Sequence, residues 1–300
     1  MNEQGWLNIY KPLDVSSFNV IKKIKKKFNI IKLGHAGTLD PLAEGILPIA
    51  IGKTTKLIPF VQNSIKEYEF EIKWGEETST DDKEGEIIDI SKKIPDDNEI
   101  IQALKNFECK FYQYPPKASA VKINGIRSYK LFRSNIDFET NKKEVQLFNT
   151  KLINTNSNIS RIIIKCGSGF YVRSLARDLA TELGTKGHIF SLKRTKVGKF
   201  STNNSILLDD ALKISQTLSE FKEIQPSISM LDDILAYEIE DEKLIKEISY
   251  GKSVEINKFN FHSDTLNLND KKTIFLTIGK NVLSFGKFDG DLFVPKKVLI

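Results

Sequence analysis

Arginine is scarce in this chain. Six of its 45 Lys and Arg residues are Arg, namely Arg127, Arg133, Arg161, Arg173, Arg177 and Arg194. Arg is a planar fork suited to specific pairing, whereas Lys is a hydrated point charge, so each Arg here is a candidate for a particular task. Cysteine is scarcer still. Cys109 and Cys166 lie far apart with no Cys or His at ligand spacing, which argues against a structural zinc site, provides no disulfide framework and fits a reducing compartment. No run approaches the ~20 apolar residues of a membrane span, and Met1 to Gly5 has no apolar signal core. A soluble, cytoplasmic protein is the expectation. The chain also lacks internal repeats and long low-complexity tracts.

What is present describes a folded chain. Hydrophobic residues make up 40% and charged residues 28% of the 300 positions, which rules out wholesale disorder. That length suits one large domain, or one plus a small one, with a core that needs neither disulfides nor metal. The formal charge of +6 makes nucleic acid a plausible partner without establishing it.

Hydrophobic periodicity predicts the elements. Trp6 to Tyr10 reads as a strand. Ser16 or Ser17 caps a helix to about Phe28, with Val20, Ile21, Ile24 and Phe28 on one face and Lys22, Lys23, Lys25, Lys26 and Lys27 on the rest. Residues 33–58 read as a Gly-rich loop followed by an apolar, helical stretch. Glu67 to Trp74 alternates as a half-buried strand, with Tyr68, Phe70, Ile72 and Trp74 inward. Residues 75–98 read as a polar loop, and Glu99 to Phe107 as a short helix. Tyr112 to Asn141 reads as an irregular excursion with short helices. Val145–Ile153 and Arg161–Cys166 are two more strands. A helix follows Tyr171 with Val172, Leu175, Ala176, Leu179 and Leu183 inward, stopped at Gly184. Residues 213–228 read as a boundary. Beyond about 240, Thr273–Ile278, Val282–Lys287 and Leu292–Val298 are strands joined by turns at Gly279-Lys280-Asn281 and Asp289-Gly290. Strands outnumber helices without alternating with them, so the fold class is α+β.

The most unusual segment is Gly34-His35-Ala36-Gly37-Thr38-Leu39-Asp40-Pro41-Leu42-Ala43-Glu44-Gly45-Ile46-Leu47-Pro48. Its glycines permit close approaches, and Pro41 biases Asp40 toward an extended backbone. A stiff loop presenting Asp40 and His35 is expected. Gly45 to Gly52-Lys53-Thr54 is not a phosphate-binding loop, because six apolar residues stand where four are required. Spacing alone leaves open whether Asp40 merely makes a turn and His35 is a structural loop histidine.

Four ordered blocks resolve that choice. The Gly34–Leu47 segment resembles the catalytic motif of the TruB-type tRNA pseudouridine synthases, which isomerise uridine 55 in the T-loop of tRNA. Lys66-Glu67-Tyr68-Glu69-Phe70 resembles that family's active-site tyrosine block. Tyr114-Pro115-Pro116-Lys117-Ala118-Ser119-Ala120-Val121-Lys122, with Gly125 and Tyr129, resembles its RNA-gripping insertion. Cys166-Gly167-Ser168-Gly169-Phe170-Tyr171-Val172-Arg173-Ser174-Leu175 resembles the block with a second tyrosine and an arginine. The match spans roughly residues 5–235. It departs from the family at Ala118, where an aromatic is common, and at Ser79, where Asp is common, while Asp82 and Gly85 are kept.

The resemblance implies a pseudouridine synthase catalytic domain over residues 1–235 with a mixed or antiparallel central sheet and an insertion at about 112–145. A small β-rich, RNA-binding-like domain would follow at 240–300, its removal weakening tRNA binding and sparing the chemistry. Asp40, Tyr68 and Arg173 are implied as catalytic residues. Asp40 is implied either as a nucleophile toward sugar or base, or as a base taking a sugar proton. Arg173 is implied as its partner, and Tyr68 as the residue that stacks on the target base or transfers the proton at C5. His35 would fill the space of the flipped base, Tyr171 would line the pocket, and Lys122, with Lys117, Lys130 and Arg127, would grip phosphate. No metal or cofactor is expected, since isomerisation transfers neither electrons nor an external group. The expected partner is a tRNA T-arm, bound by a monomer without a protein partner. An RNA-folding helper acting mainly by binding and a guide-RNA-dependent relative are the alternatives.

Overall fold

The computed structural model describes residues 4–214, 223–231, 235–255 and 273–299. Strand β1 (Gly5–Lys11) and helix α1 (Ser17–Lys27) are followed by β2 (Leu33–His35), β3 (Ala43–Ile51), a 3₁₀ turn (Gly52–Leu57) and α2 (Ile58–Gln62). Next come β4 (Lys66–Trp74), the ribbon β5 (Glu76–Thr78) and β6 (Ile87–Ile90), and α3 (Asp97–Asn106). Then follow β7 (Lys110–Gln113), the small hairpin β8 (Lys122–Ile123) and β9 (Ile126–Arg127), and α4 (Ser128–Arg133). The long strands β10 (Lys143–Asn156) and β11 (Ile159–Cys166), helix α5 (Val172–Glu182) and β12 (Gly187–Val197) lead to β13 (Phe200–Ser201), β14 (Ile206–Leu207) and α6 (Leu208–Lys213). The last part holds β15 (Leu235–Glu238), α7 (Glu242–Ser249), β16 (Val254–Glu255), β17 (Ile274–Ile278), β18 (Asn281–Asp289) and β19 (Leu292–Val298).

The local chemistry behind these elements is plain. Ser16 caps α1 by accepting the Asn19 amide, Val20 and Ile24 are buried, and the lysines cover the open face. Asp96 and Glu99 form a reciprocal capping box on α3. On β4, Tyr68, Phe70, Ile72 and Trp74 are buried and the residues between them are half-exposed, the period-2 pattern of a strand with one covered face.

The central sheet has the order β14-β1-β3-β12-β4-β11-β10-β7, with β2 added to β3 and β13 to β12. It is mixed, because β1 with β14 and β3 with β12 run parallel and the other pairs antiparallel. Helices α3 and α5 cover the cluster around Phe70, Trp74 and Leu175, while α1 covers Leu7, Ile9 and Leu47.

Two expectations are corrected. The apolar stretch after Asp40 is strand β3 and not a helix. It is buried at eight of nine positions between β1 on one side and β2 and β12 on the other, and a short run apolar on both faces has no period that separates the two states. Residues 75–98 are not all loop, since β5 and β6 pair within them. The sequence pattern also left β12 unassigned, although this strand joins β3 to β4.

The C-terminal sheet has the order β15-β17-β18-β19-β16. It is not a detached appendage. Phe60 on α2 meets Phe275 and Phe285 edge-on, each at 5.0 Å between ring centroids. One apolar cluster holds Trp6, Ile46 and Leu57 together with Phe275, Val282 and Leu299. Ser227 joins the two parts further, accepting the Trp6 indole N–H on its carbonyl and the Val282 amide on its hydroxyl. The expectation that removing the chain after residue 240 weakens tRNA binding and spares the chemistry has this shared core to contend with, since removal would uncover it. The boundary read at 213–228 lies partly outside the described residues.

Candidate active site

Asp40 lies in the turn between β2 and β3, which is fastened from three sides. The buried Ser17 hydroxyl accepts the Leu39 amide at 2.8 Å and donates to the Leu39 carbonyl at 2.9 Å. Lys11, wholly buried, donates to the carbonyls of Pro12, Val15 and Pro41, and burial pulls its pKa down to about 8. Arg194 of β12 donates to the carbonyls of Ile46 at 2.7 Å and Gly37 at 3.0 Å, and more loosely to Thr38. Gly45 makes this last clasp possible. A Cβ there would lie 2.2 Å from the Arg194 carbonyl oxygen, and its φ of +107° suits Gly alone.

Arg173 reaches Asp40 from α5. Its guanidinium sits 2.8 Å from the Asp40 carboxylate and 3.0 Å from that of Asp82, and it donates to the carbonyls of Thr80 and Ala118. Arg173 is 5% and Asp82 2% exposed, whereas Asp40 is 36% exposed. The arginine is therefore anchored on its inner side by Asp82 and presents its outer side to a carboxylate open to solvent. Asp82 is itself fixed by the Thr80 hydroxyl at 2.6 Å and the Glu84 amide at 3.0 Å. Arg177 pairs with Asp178 at 2.9 Å and also with Asp81 at 3.0 Å.

These groups border a pocket of about 430 Å³ lined by Asp40, Lys66, Tyr68, Ser119, Tyr171, Arg173 and Arg194, among others. Tyr68 and Tyr171 face it from β4 and from the start of α5. Burial pushes both phenols above their ordinary range, so both stay neutral. The Arg194 charge faces the Tyr68 phenol, and the Asp40 charge faces that of Tyr171. Gln113 secures the Tyr171 backbone, donating to its carbonyl at 3.2 Å and accepting its amide at 3.0 Å.

The structure thus brings Asp40, Tyr68, Arg173 and Tyr171 together. It places two sequence-predicted residues outside the pocket. His35 ends β2, paired with Ile49 of β3. Its Nδ1 is buried without a hydrogen-bond partner, and burial together with the Arg194 charge lowers its pKa, which favours the neutral ring. Lys122 is exposed on the β8–β9 hairpin opposite Arg127. The hairpin turns at Asn124-Gly125, both at positive φ, a pairing suited to a two-residue turn. The insertion reaches the pocket through Ser119 and Ala120 and is held by polar contacts from α5, in which Ser174 and Arg177 donate to the Tyr114 carbonyl.

Sequence reasoning missed Arg194, Lys66, Lys11 and Ser17 as site residues, and it noted Asp82 without a role. Arg194 carried one usable signal, its rarity as an arginine, and Lys66 another, its place at the head of the Tyr68 block; Lys11 and Ser17 carried none. Among the described residues no group of three or more His, Cys, Asp or Glu is arranged to hold a metal, and no helix is long and apolar enough to cross a membrane.

The chain is similar to known proteins over most of its length. Residues 25–172 match the TruB family pseudouridylate synthase N-terminal domain, and residues 173–236 match the tRNA pseudouridylate synthase B C-terminal domain. The tRNA pseudouridine synthase B of Wolbachia pipientis subsp. Culex pipiens (strain wPip) is 47% identical over 215 residues, covering 71% of this chain and 61% of the relative. That of Ehrlichia chaffeensis is 38% identical over 256 residues, covering 84% of this chain and 86% of the relative. That of Caulobacter vibrioides is 39% identical over 251 residues, covering 83% and 81%. A chain solved in a Cbf5-Nop10-Gar1 complex superposes with a TM-score of 0.75 at 23% identity, covering 99% of this chain and 85% of that one, a likeness of fold.

Proposed function

The chain belongs to the TruB family of pseudouridylate synthases, and on that premise we propose that it converts uridine 55 in the T-loop of tRNA to pseudouridine, with Asp40 as the catalytic carboxylate. The observation that carries this reading is the Asp40–Arg173 contact at 2.8 Å on the wall of a pocket large enough for a nucleotide. A guanidinium held from behind by Asp82 keeps Asp40 ionised and oriented, ready to act as nucleophile or base. Tyr68 stacks on the target base, and Tyr171 closes the pocket beside it.

The target base lies inside a folded loop and must be flipped out at a cost of a few kcal/mol. His35, neutral and with an unsatisfied ring nitrogen, enters the loop and takes the vacated place. Lys122, Arg127, Lys130 and Lys117 on the insertion hold phosphates, a sequence-independent and salt-sensitive grip. Residues 1–235 form the catalytic domain and residues 240–300 add a β-rich RNA-binding-like part. The chain works as a monomer in the cytoplasm, with no cofactor, guide RNA or protein partner.

The test is the purified chain acting alone on a T-arm hairpin, with pseudouridine located by carbodiimide mapping. Modification at the position of uridine 55 is expected. Modification only when a guide RNA or protein partner is added, or binding without modification, would overturn the reading.

A further inference from the structure

Positive charge is in excess in the pocket. Its wall carries three cations, Arg173, Arg194 and Lys66, and one carboxylate, Asp40. Arg173 is balanced by Asp40 and Asp82. Among the described residues Arg194 and Lys66 pair with no carboxylate. Arg194 ends on the carbonyls of Ile46, Gly37 and Thr38, and the Lys66 ammonium on those of Gln62 and Ser64, both at 2.8 Å. Arg194 is 1% and Lys66 7% exposed. A buried cation without an anion is costly, and two together are more so.

The placement of the pair is specific. Lys66 and Tyr68 share one face of β4, and Arg194 of β12 pairs with Tyr68 across the sheet. Tyr68 is therefore a neighbour of both residues. An ammonium has three donors, and the two carbonyls leave Lys66 one to give to a ligand.

We propose that Lys66 and Arg194 form the anion site that holds the detached base during isomerisation, Lys66 by direct contact and Arg194 through its charge, set across the sheet from Tyr68. The proposal rests on the pseudouridine-forming reading. When the C1′–N1 bond breaks, its electron pair leaves on the uracil ring as a monoanion spread over N1, O2 and O4. The sugar is satisfied either by a new bond from the Asp40 carboxylate to C1′ or by loss of the C2′ proton to Asp40 and formation of a C1′–C2′ double bond. The base carries the same charge in both cases. It then turns about its C6–N3 axis, which exchanges N1 with C5 and O2 with O4. C5 supplies the electron pair of the new bond to C1′ as the Asp40–C1′ bond breaks, or as Asp40 returns its proton to C2′ and the C1′–C2′ double bond opens, and C5 then loses its proton to solvent. A cation beside one carbonyl meets an oxygen before and after that turn. Charge can thus retain the base without fixing its orientation, which a directional covalent hold could not do.

The experiment compares wild type, Lys66→Gln and Lys66→Arg in single-turnover conversion of T-arm RNA carrying uridine or 5-fluorouridine at the target, in slightly acidic buffer. Conversion is read on both RNAs as loss of the starting nucleoside, because 5-fluorouridine has no C5 proton to release. Fluorine stabilises the base anion and so lessens the need for external charge. Lys66→Gln should slow conversion of uridine by about 100-fold and of 5-fluorouridine at least tenfold less, and Lys66→Arg should restore most of the rate. An equal loss on both bases, or a loss confined to RNA affinity, overturns the proposal. Lys66→Met keeps the aliphatic stem and takes the place of the Gln variant if that fails to fold. A wild-type chain inactive on both RNAs overturns the functional reading beneath the proposal, and the proposal with it.

Discussion

Asp40 owes its geometry to side chains set far from it in the sequence. Asp82 is the clearest case, since it fixes the inner side of Arg173 while Asp40 takes the outer side. Asp82→Asn keeps the shape but leaves Arg173 with one anion in place of two. We expect single-turnover rate to fall about tenfold with little change in KM, the mark of an interaction realised in the transition state. A rise in KM at constant kcat would instead make Asp82 part of RNA binding. The residues proposed to do the chemistry could be picked out of the sequence because they stand in contiguous blocks, and the structure gathers them on one pocket. Asp40, Tyr68, Tyr171 and Arg173 each sit in such a block. Ser17, Lys11 and Arg194 do not, and Lys66 opens the tyrosine block without a role of its own there; their roles exist only once β1, α1, β4 and β12 converge. No local pattern announces a lysine that ends on three carbonyls.

Among the elements, the insertion between β7 and β10 stands apart. None of its side chains belongs to a described apolar core cluster, and its exposed Lys122, Arg127 and Lys130 surround the tight β8–β9 turn. Lys122→Gln should weaken tRNA binding for every sequence alike and flatten the slope of log affinity against log salt by about one. An unchanged slope would place Lys122 away from phosphate. The strands that alternate, such as β4, and the helices with clear caps, such as α1, follow from their own residues. Strand β3 did not, because burial on both faces erases its periodicity. The ribbon β5–β6 was equally hidden, since Ile87, Ile88 and Ile90 are exposed and present no buried face to read.

Across the whole molecule, the two sheets stand or fall together. Removing the chain after residue 240 would expose Phe60, Ile58 and the rest of the cluster that Phe275, Val282, Phe285 and Leu299 cover. The truncated protein should melt several degrees lower and lose activity through instability, while Phe60→Ala in the full chain should cost about 2–4 kcal/mol by urea unfolding. A truncated chain as stable as the full one would contradict the shared core. Buried lysines set a pH dependence on the same scale. Lys11 and Lys66 lie near 8 in the fold, against an ordinary 10.5. Between those values the unfolded chain binds more protons, so their contribution to stability rises as pH climbs from about 8 to 10.5. Wild type should gain stability relative to Lys66→Met across that window, and parallel curves would show that Lys66 is not held in a cost-bearing charged state. The measurement that tests the account at its centre is release of tritium from tRNA labelled at C5 of uridine, because the C5 proton departs only when the new carbon–carbon bond forms. Wild type should release the label from the uridine 55 position, and Asp40→Asn should bind the same tRNA and release none. Release by Asp40→Asn at the wild-type rate would contradict the assignment of the carboxylate and the mechanism built on it.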